Sequence, residues 1–158
     1  MSQTPNATNA GLEKLSQSRL ALGDAKQDVR NCKVVDRDGH EVGHVSDLFI
    51  DQDERRVRML EVHAGGFLGF GDRRVLLPVE AIISVTESEV RVNQTRRRIV
   101  QSPIYDPALV ERVPREYWEP FYGHYELSPY WASGYMYPEF PMSRAESLMH
   151  ESSDYRGD

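Results

Sequence analysis

The chain has 158 residues, enough for one core with appended segments but cramped for two. Its formal charge of −6 argues against a broad phosphate-binding surface, so DNA is not an expected partner. A single cysteine, Cys32, excludes an internal disulfide, a four-cysteine zinc site and a Cys-x-x-Cys redox pair, and no run approaches the roughly 18 apolar residues that span a bilayer.

Residues 1–27 are rich in Ser, Thr, Asn, Gln and Ala. They lack both the basic start and the apolar stretch of a secretory signal, so the cytoplasm is the expected compartment. Leu12, Leu15 and Leu20 hint at a short helix, but the pattern is too sparse to hold one alone, and the segment reads as a flexible arm. Over 28–94 the texture is β: short runs of Val, Ile, Leu and Phe broken by turn residues. "KVVD" is a first strand, followed by the Arg37–Gly39 turn, where glycine permits positive φ. "VGHVSDLFID", "VRMLEVHA" and "RRVLLP" follow, and "AIISVTE" with "EVRVN" completes a hairpin across Ser88. In a regular strand Val57 and Met59 share a face while Leu60 and Val62 lie on the other. That slip of phase implies a bulge or burial on both faces. About six such strands without long intervening helices predict a mainly β fold, a small antiparallel barrel.

From Thr95 the pattern changes. "TRRRIVQSP" predicts a short helix ending before Pro103, with Arg96, Arg97 and Arg98 as a solvated face. Pro107 and Pro114 stand where further short helices would begin. "SPYWASGYMYPEFP" is crowded with Tyr, Trp and Pro and reads as extended. Residues 95–142 therefore form short helices and an aromatic extension that packs on the barrel or on a partner. Residues 143–158 are polar and read as a disordered tail. The closing Arg156-Gly157-Asp158 tripeptide reads as coincidence.

Two motifs invite a catalytic reading. His40-Glu41-Val42-Gly43-His44 spells the H-E-x-x-H zinc signature, which works because four residues on a helix advance only about 6 Å and return to one face. Here His44 sits in a β-branched run, where the same four residues advance about 13 Å, too far for two ligands of one ion. A zinc hydrolase is accordingly the weakest alternative. "GGFLGFGD", Gly65 to Asp72, lacks the Gly-Lys-Ser/Thr and helix of a phosphate loop and reads as a long hairpin connection. Its Phe67, Leu68 and Phe70 either fold over the barrel mouth or contact another protein. Asp47, Asp51, Asp53 and Glu54 read as strand and turn carboxylates. Tyr130, Trp131, Tyr135 and Tyr137 lie in an aromatic stretch whose surrounding charges are mixed, which disfavours base stacking. Packing on the chain's own barrel is favoured, ahead of a subunit interface. Neither a catalytic constellation nor a cofactor is expected.

Together "VVDRDGHEVGHVSDLFID", "VRMLEV", "VLLPVEAI" and "EVRVN" resemble the PRC-barrel family, named after the cytoplasmic domain of one subunit of the purple-bacterial photosynthetic reaction centre. With "GGFLGFG" and "SPIYDP" the sequence is similar to stand-alone bacterial members. The resemblance implies a small barrel serving in assembly. In the reaction centre that barrel caps membrane subunits and supports proton delivery to a quinone; in a ribosome-maturation factor it helps bind a ribosomal protein. By resemblance alone, Glu54 falls on a carboxylate position of the reaction-centre proton pathway. Unlike the reaction-centre protein, the chain is expected to have no N-terminal transmembrane helix, and the companion domain of the ribosome factor is not expected either. The expected role is a non-catalytic protein-interaction module, a homo-oligomer with a dimer favoured, acting in the cytoplasm or peripherally on a membrane complex. The alternatives are an accessory of photosynthetic or membrane electron transport and, more weakly, a ribosome- or RNA-associated module.

Overall fold

A computed structural model describes residues 11–18, 21–65, 73–104 and 115–140. Among the described residues seven strands form one mixed sheet: β1 (Leu12–Lys14), β2 (Lys33–Val35), β3 (Glu41–Asp51), β4 (Val57–Ala64), β5 (Arg73–Pro78), β6 (Ile82–Val85) and β7 (Glu89–Val92). The order is β5-β4-β3-β2-β7-β6, with β1 also paired to β3. At 11 residues, β3 is long enough for β1 and β2 to share one of its edges while β4 takes the other. The tight turn before it uses Gly39 at φ +91°, as its sequence predicts.

The sheet is mainly β as expected, with three differences from the sequence reading. It has seven strands rather than about six. It is not wholly antiparallel, because β2 and β7 run parallel. It is a curled half-barrel: among the described residues no ladder joins β5 to β6, and the 3-10 turn Val79–Ala81 bridges them. The parallel pair arises because β7 reaches β2 only after the chain has rounded β3, β4, β5 and β6.

The sequence makes residues 1–27 a flexible arm; among the described residues of that segment, 11–18 and 21–27, several are fixed to the sheet. Leu12 is fully buried and Lys14 pairs with Phe49 across the β1–β3 ladder. The Ser16 amide donates to the Asp47 carboxylate at 3.2 Å. Asp24 caps a 3-10 turn, Ala25–Gln27. Buried Gln27 then donates to the Phe140 carbonyl at 2.9 Å and accepts from the Val57 amide at 3.0 Å. A three-residue strand with one large apolar residue offers too little periodicity to be read in advance.

The slip of phase in β4 has both causes that the sequence allows. Ile50 pairs with Val57 and Phe49 with Met59, so Arg58 is the extra residue of a bulge. Val57 thereby joins Leu60 and Val62 on the concave face, and Met59 goes to the convex one. The expectation that Val57 and Met59 share a face fails for that reason. The concave face holds the main core, with Leu48, Leu77 and Val90, closed by Ile99 and Val100 of helix α1 (Arg96–Val100). The convex face carries Leu12, Phe49, Met59 and Leu76 beneath Trp118, Phe121 and Tyr122. Trp118 and Phe121 belong to the 3-10 turn Arg115–Trp118 and to helix α2 (Glu119–His124). The two short helices are tied together where Arg98 donates to the His124 carbonyl at 3.0 Å and the His124 ring meets the Arg98 carbonyl at 2.7 Å.

Candidate functional site

The bulge at Arg58 is also where the N-terminal segment, the β3–β4 turn and the C-terminal aromatics converge. Asp51 ends β3 and organises the turn: one carboxylate oxygen accepts from the Glu54 and Arg55 amides. Its other oxygen accepts from the Nε of Arg58 at 2.7 Å, and Arg58 Nη2 donates to Glu54 at 2.9 Å. Arg58 and Asp51 are both buried, their side chains 6% exposed. Burial works against the guanidinium's charge, but the charge and hydrogen bond of Asp51 outweigh it and hold the pKa of Arg58 above its ordinary value.

Three tyrosines enclose that guanidinium. Its carbon lies 4.6 Å from the Tyr130 ring centre, 5.1 Å from Tyr137 and 6.0 Å from Tyr135. These are cation–π distances, favourable where water is excluded. Tyr137 also donates to the Val57 carbonyl at 2.8 Å, so both backbone groups of Val57 are held by side chains from opposite ends of the chain. Trp131 packs edge-on against Tyr122 and Tyr130, and Arg115 lies 5.2 Å above it. The sequence candidates Tyr130, Tyr135, Tyr137 and Glu54 are thus brought together around Arg58, with Trp131 packed against Tyr130. Arg58 itself is not among the sequence candidates; a charged residue at a slip of strand phase is the signal that could have found it. Phe67, Leu68 and Phe70 lie outside the described residues.

Glu80, on the turn between β5 and β6, closes the cluster from below. Tyr135 donates to one of its carboxylate oxygens, and the other is buried without a hydrogen-bond partner. Burial pushes the Glu80 carboxyl up, against the opposing effects of the Tyr135 hydrogen bond and the Arg58 charge. Burial likewise raises the phenols of Tyr122, Tyr135 and Tyr137. A carboxyl with a raised folded-state pKa stabilises the fold while protonated, and that contribution is lost as pH rises through the folded value. Unfolding free energy, measured by urea melts at a series of pH values above about 4.3, the usual glutamate value, should therefore fall with rising pH relative to Glu80→Gln. A difference between the two proteins that does not change with pH would show that Glu80 ionises freely.

The zinc motif does not assemble. His40 precedes β3, and its amide donates to Asp36 at 2.8 Å, whereas His44 lies within β3 opposite His63 of β4. Asp36, Asp38 and His40 each place one potential ligand atom within 4.8 Å of the others. Asp36, however, is a buried turn residue. It accepts from the amides of Asp38, His40 and Arg96 at 2.9, 2.8 and 2.8 Å. Burial would raise its pKa, but those hydrogen bonds prevail and lower it. Its chemistry is spent on the turn. Cys32 is also buried, its thiol directed to the Glu87 carbonyl and its pKa raised by burial, the opposite of a reactive thiolate.

The family model of the PRC-barrel domain matches residues 24–99. The chain carries a PRC-barrel domain. The match begins at the Asp24 cap and ends within α1, so it takes in the Arg58 bulge, Asp51, Glu54 and Glu80. The tyrosines that complete the cluster lie C-terminal to the PRC-barrel, between 122 and 137. Comparison with curated proteins finds no match. Among the described residues no helix is long and apolar enough to cross a membrane.

Proposed function

We propose that the protein is a non-catalytic assembly module that docks another protein and self-associates as a dimer. The PRC-barrel domain over 24–99 carries this reading, since such barrels serve protein interaction and assembly. Two features support it. The titratable groups at the Arg58 cluster are paired or enclosed in a way that holds the chain together. The rings of Tyr130, Trp131, Tyr135 and Tyr137 are half-buried, still reachable from solvent, and Met136 beside them is 83% exposed. Partner contacts then fall on that aromatic rim and on Phe67, Leu68 and Phe70.

Glu54 is given a structural role in this reading. Its ion pairs with Arg58 at 2.9 Å and Arg56 at 3.6 Å support a turn anchor over a proton carrier. The protein would act in the cytoplasm, free or against a membrane complex. The experiment is sedimentation together with affinity capture, comparing the native chain with Phe67→Ser/Phe70→Ser and with Met136→Ser. The reading expects a dimer, and a loss of assembly or of a captured protein in at least one variant. A monomer that captures nothing specific, or assembly and capture unchanged in both variants, would count against it.

A further inference from the structure

The convex face of the sheet divides into three zones. Phe49, Met59 and Leu76 lie under the aromatic layer. Next along β4 comes Glu61, paired with Lys14 at 3.3 Å. Beyond it, clear of the aromatic cover, stand His44 and His63. They are directly opposed partners of β3 and β4, with ring centres 5.3 Å apart and planes at 61°. They line an open cleft of about 320 Å³ together with Asn31, Lys33, Glu41 and Gly43.

We propose that His44 and His63 form a two-histidine site for a borderline transition-metal ion such as zinc, nickel or copper. Opposed residues on antiparallel strands have Cβ atoms roughly 4.5–5.5 Å apart, within reach of one ion for two imidazoles. With a metal–nitrogen distance of about 2.0–2.1 Å and a tetrahedral angle, two coordinated imidazole rings have centres roughly 5.2 Å apart. The observed ring-centre separation of 5.3 Å matches that figure. The H-E-x-x-H spacing cannot do the same, because His40 is turned to Asp36 instead.

Gly43 contributes to the approach. A Cβ there would lie 2.0 Å from the His63 carbonyl oxygen, so only glycine lets the two backbones come this close beside the pair. Imidazole nitrogen selects zinc, nickel and copper over magnesium and calcium. The neighbouring charges set the strength. Lys33 opposes His44 from β2 and Arg74 opposes His63 from β5, and both repel a cation. Glu41, in the same cleft, attracts it. Water completes the coordination. The site is therefore one of modest affinity that clips β3 to β4.

The test titrates the full chain with zinc chloride and with nickel chloride by calorimetry, alongside thermal melts with and without each salt. One ion per chain is expected, with a rise in melting temperature. His44→Gln and His63→Gln should each weaken binding by more than about tenfold and abolish the rise, while His40→Gln and Asp38→Asn change neither. His44 is exposed and His63 half-buried, and melts in metal-free buffer confirm that each variant is folded. Absence of stoichiometric binding overturns the proposal. So does binding that survives both substitutions, or binding that is lost with His40→Gln or Asp38→Asn.

Discussion

Arg58→Ala should lower the unfolding free energy by about 3–5 kcal/mol, the loss expected when one partner of a buried ion pair is removed. The larger part of that loss comes from Asp51. Its carboxylate is almost fully enclosed and would be left facing an empty space where a guanidinium donated at 2.7 Å. Glu54, half-exposed, would regain water and contribute little. The tyrosine rings would lose the cation they enclose at 4.6–6.0 Å and with it part of the reason for the C-terminal segment to settle there. Arg58→Lys keeps the charge but loses the planar fork that reaches Asp51 and Glu54 at once, so it should recover only part of the stability. Guanidinium melts of the three proteins measure this. A loss below about 1 kcal/mol for Arg58→Ala would place the cluster among surface ion pairs, whose contribution is small.

Trp118→Ala should cost a comparable amount, about 3–5 kcal/mol, as expected when a fully buried large aromatic side chain is truncated. Trp118 is fully buried although it lies outside the residues matched to the PRC-barrel. It rests on Phe49 with ring centres 5.7 Å apart and is flanked by Tyr117 and Phe121 at 5.1 and 6.2 Å. Beneath it the convex face offers Met59 and Leu76, which would be left facing a cavity. Trp118→Phe restores most of the volume and should recover much of the loss. Denaturant melts followed by far-ultraviolet circular dichroism give the comparison. A chain that tolerates alanine with little change would have an aromatic layer that covers the sheet without stabilising it.

The strands are legible in the sequence because hydrophobic alternation and turn glycines act locally, and β3, β4 and β5 lie where those signals put them. The H-E-x-x-H signature can be rejected for the same reason: a β-branched run cannot bring residues 40 and 44 to one face at helical distance. What is not legible depends on contacts distant in sequence. β1 is a strand only because β3 extends past β2 and leaves an edge open at Phe49 to Asp51. The faces of Val57 and Met59 turn on one extra residue, and nothing in "RRVRML" says which residue is extruded. Arg58 belongs to the candidate site through Tyr130, Tyr135 and Tyr137, more than seventy positions away. The sequence favours packing of the aromatic stretch on its own sheet, and the cluster gives a reason: the rings surround a cation already fixed by Asp51. His63, well separated in sequence from either histidine of the motif, is found only through the β3–β4 ladder.

Residues 115–140 cover the sheet of their own chain. Isotope-filtered nuclear Overhauser spectroscopy on a mixture of labelled and unlabelled protein measures this most directly. Contacts of Trp118 with Phe49, and of the Tyr130 and Tyr137 rings with Arg58, should all appear as intrachain signals and vanish under the interchain filter. Their appearance through that filter would assign the aromatic layer to a neighbouring molecule and contradict the account.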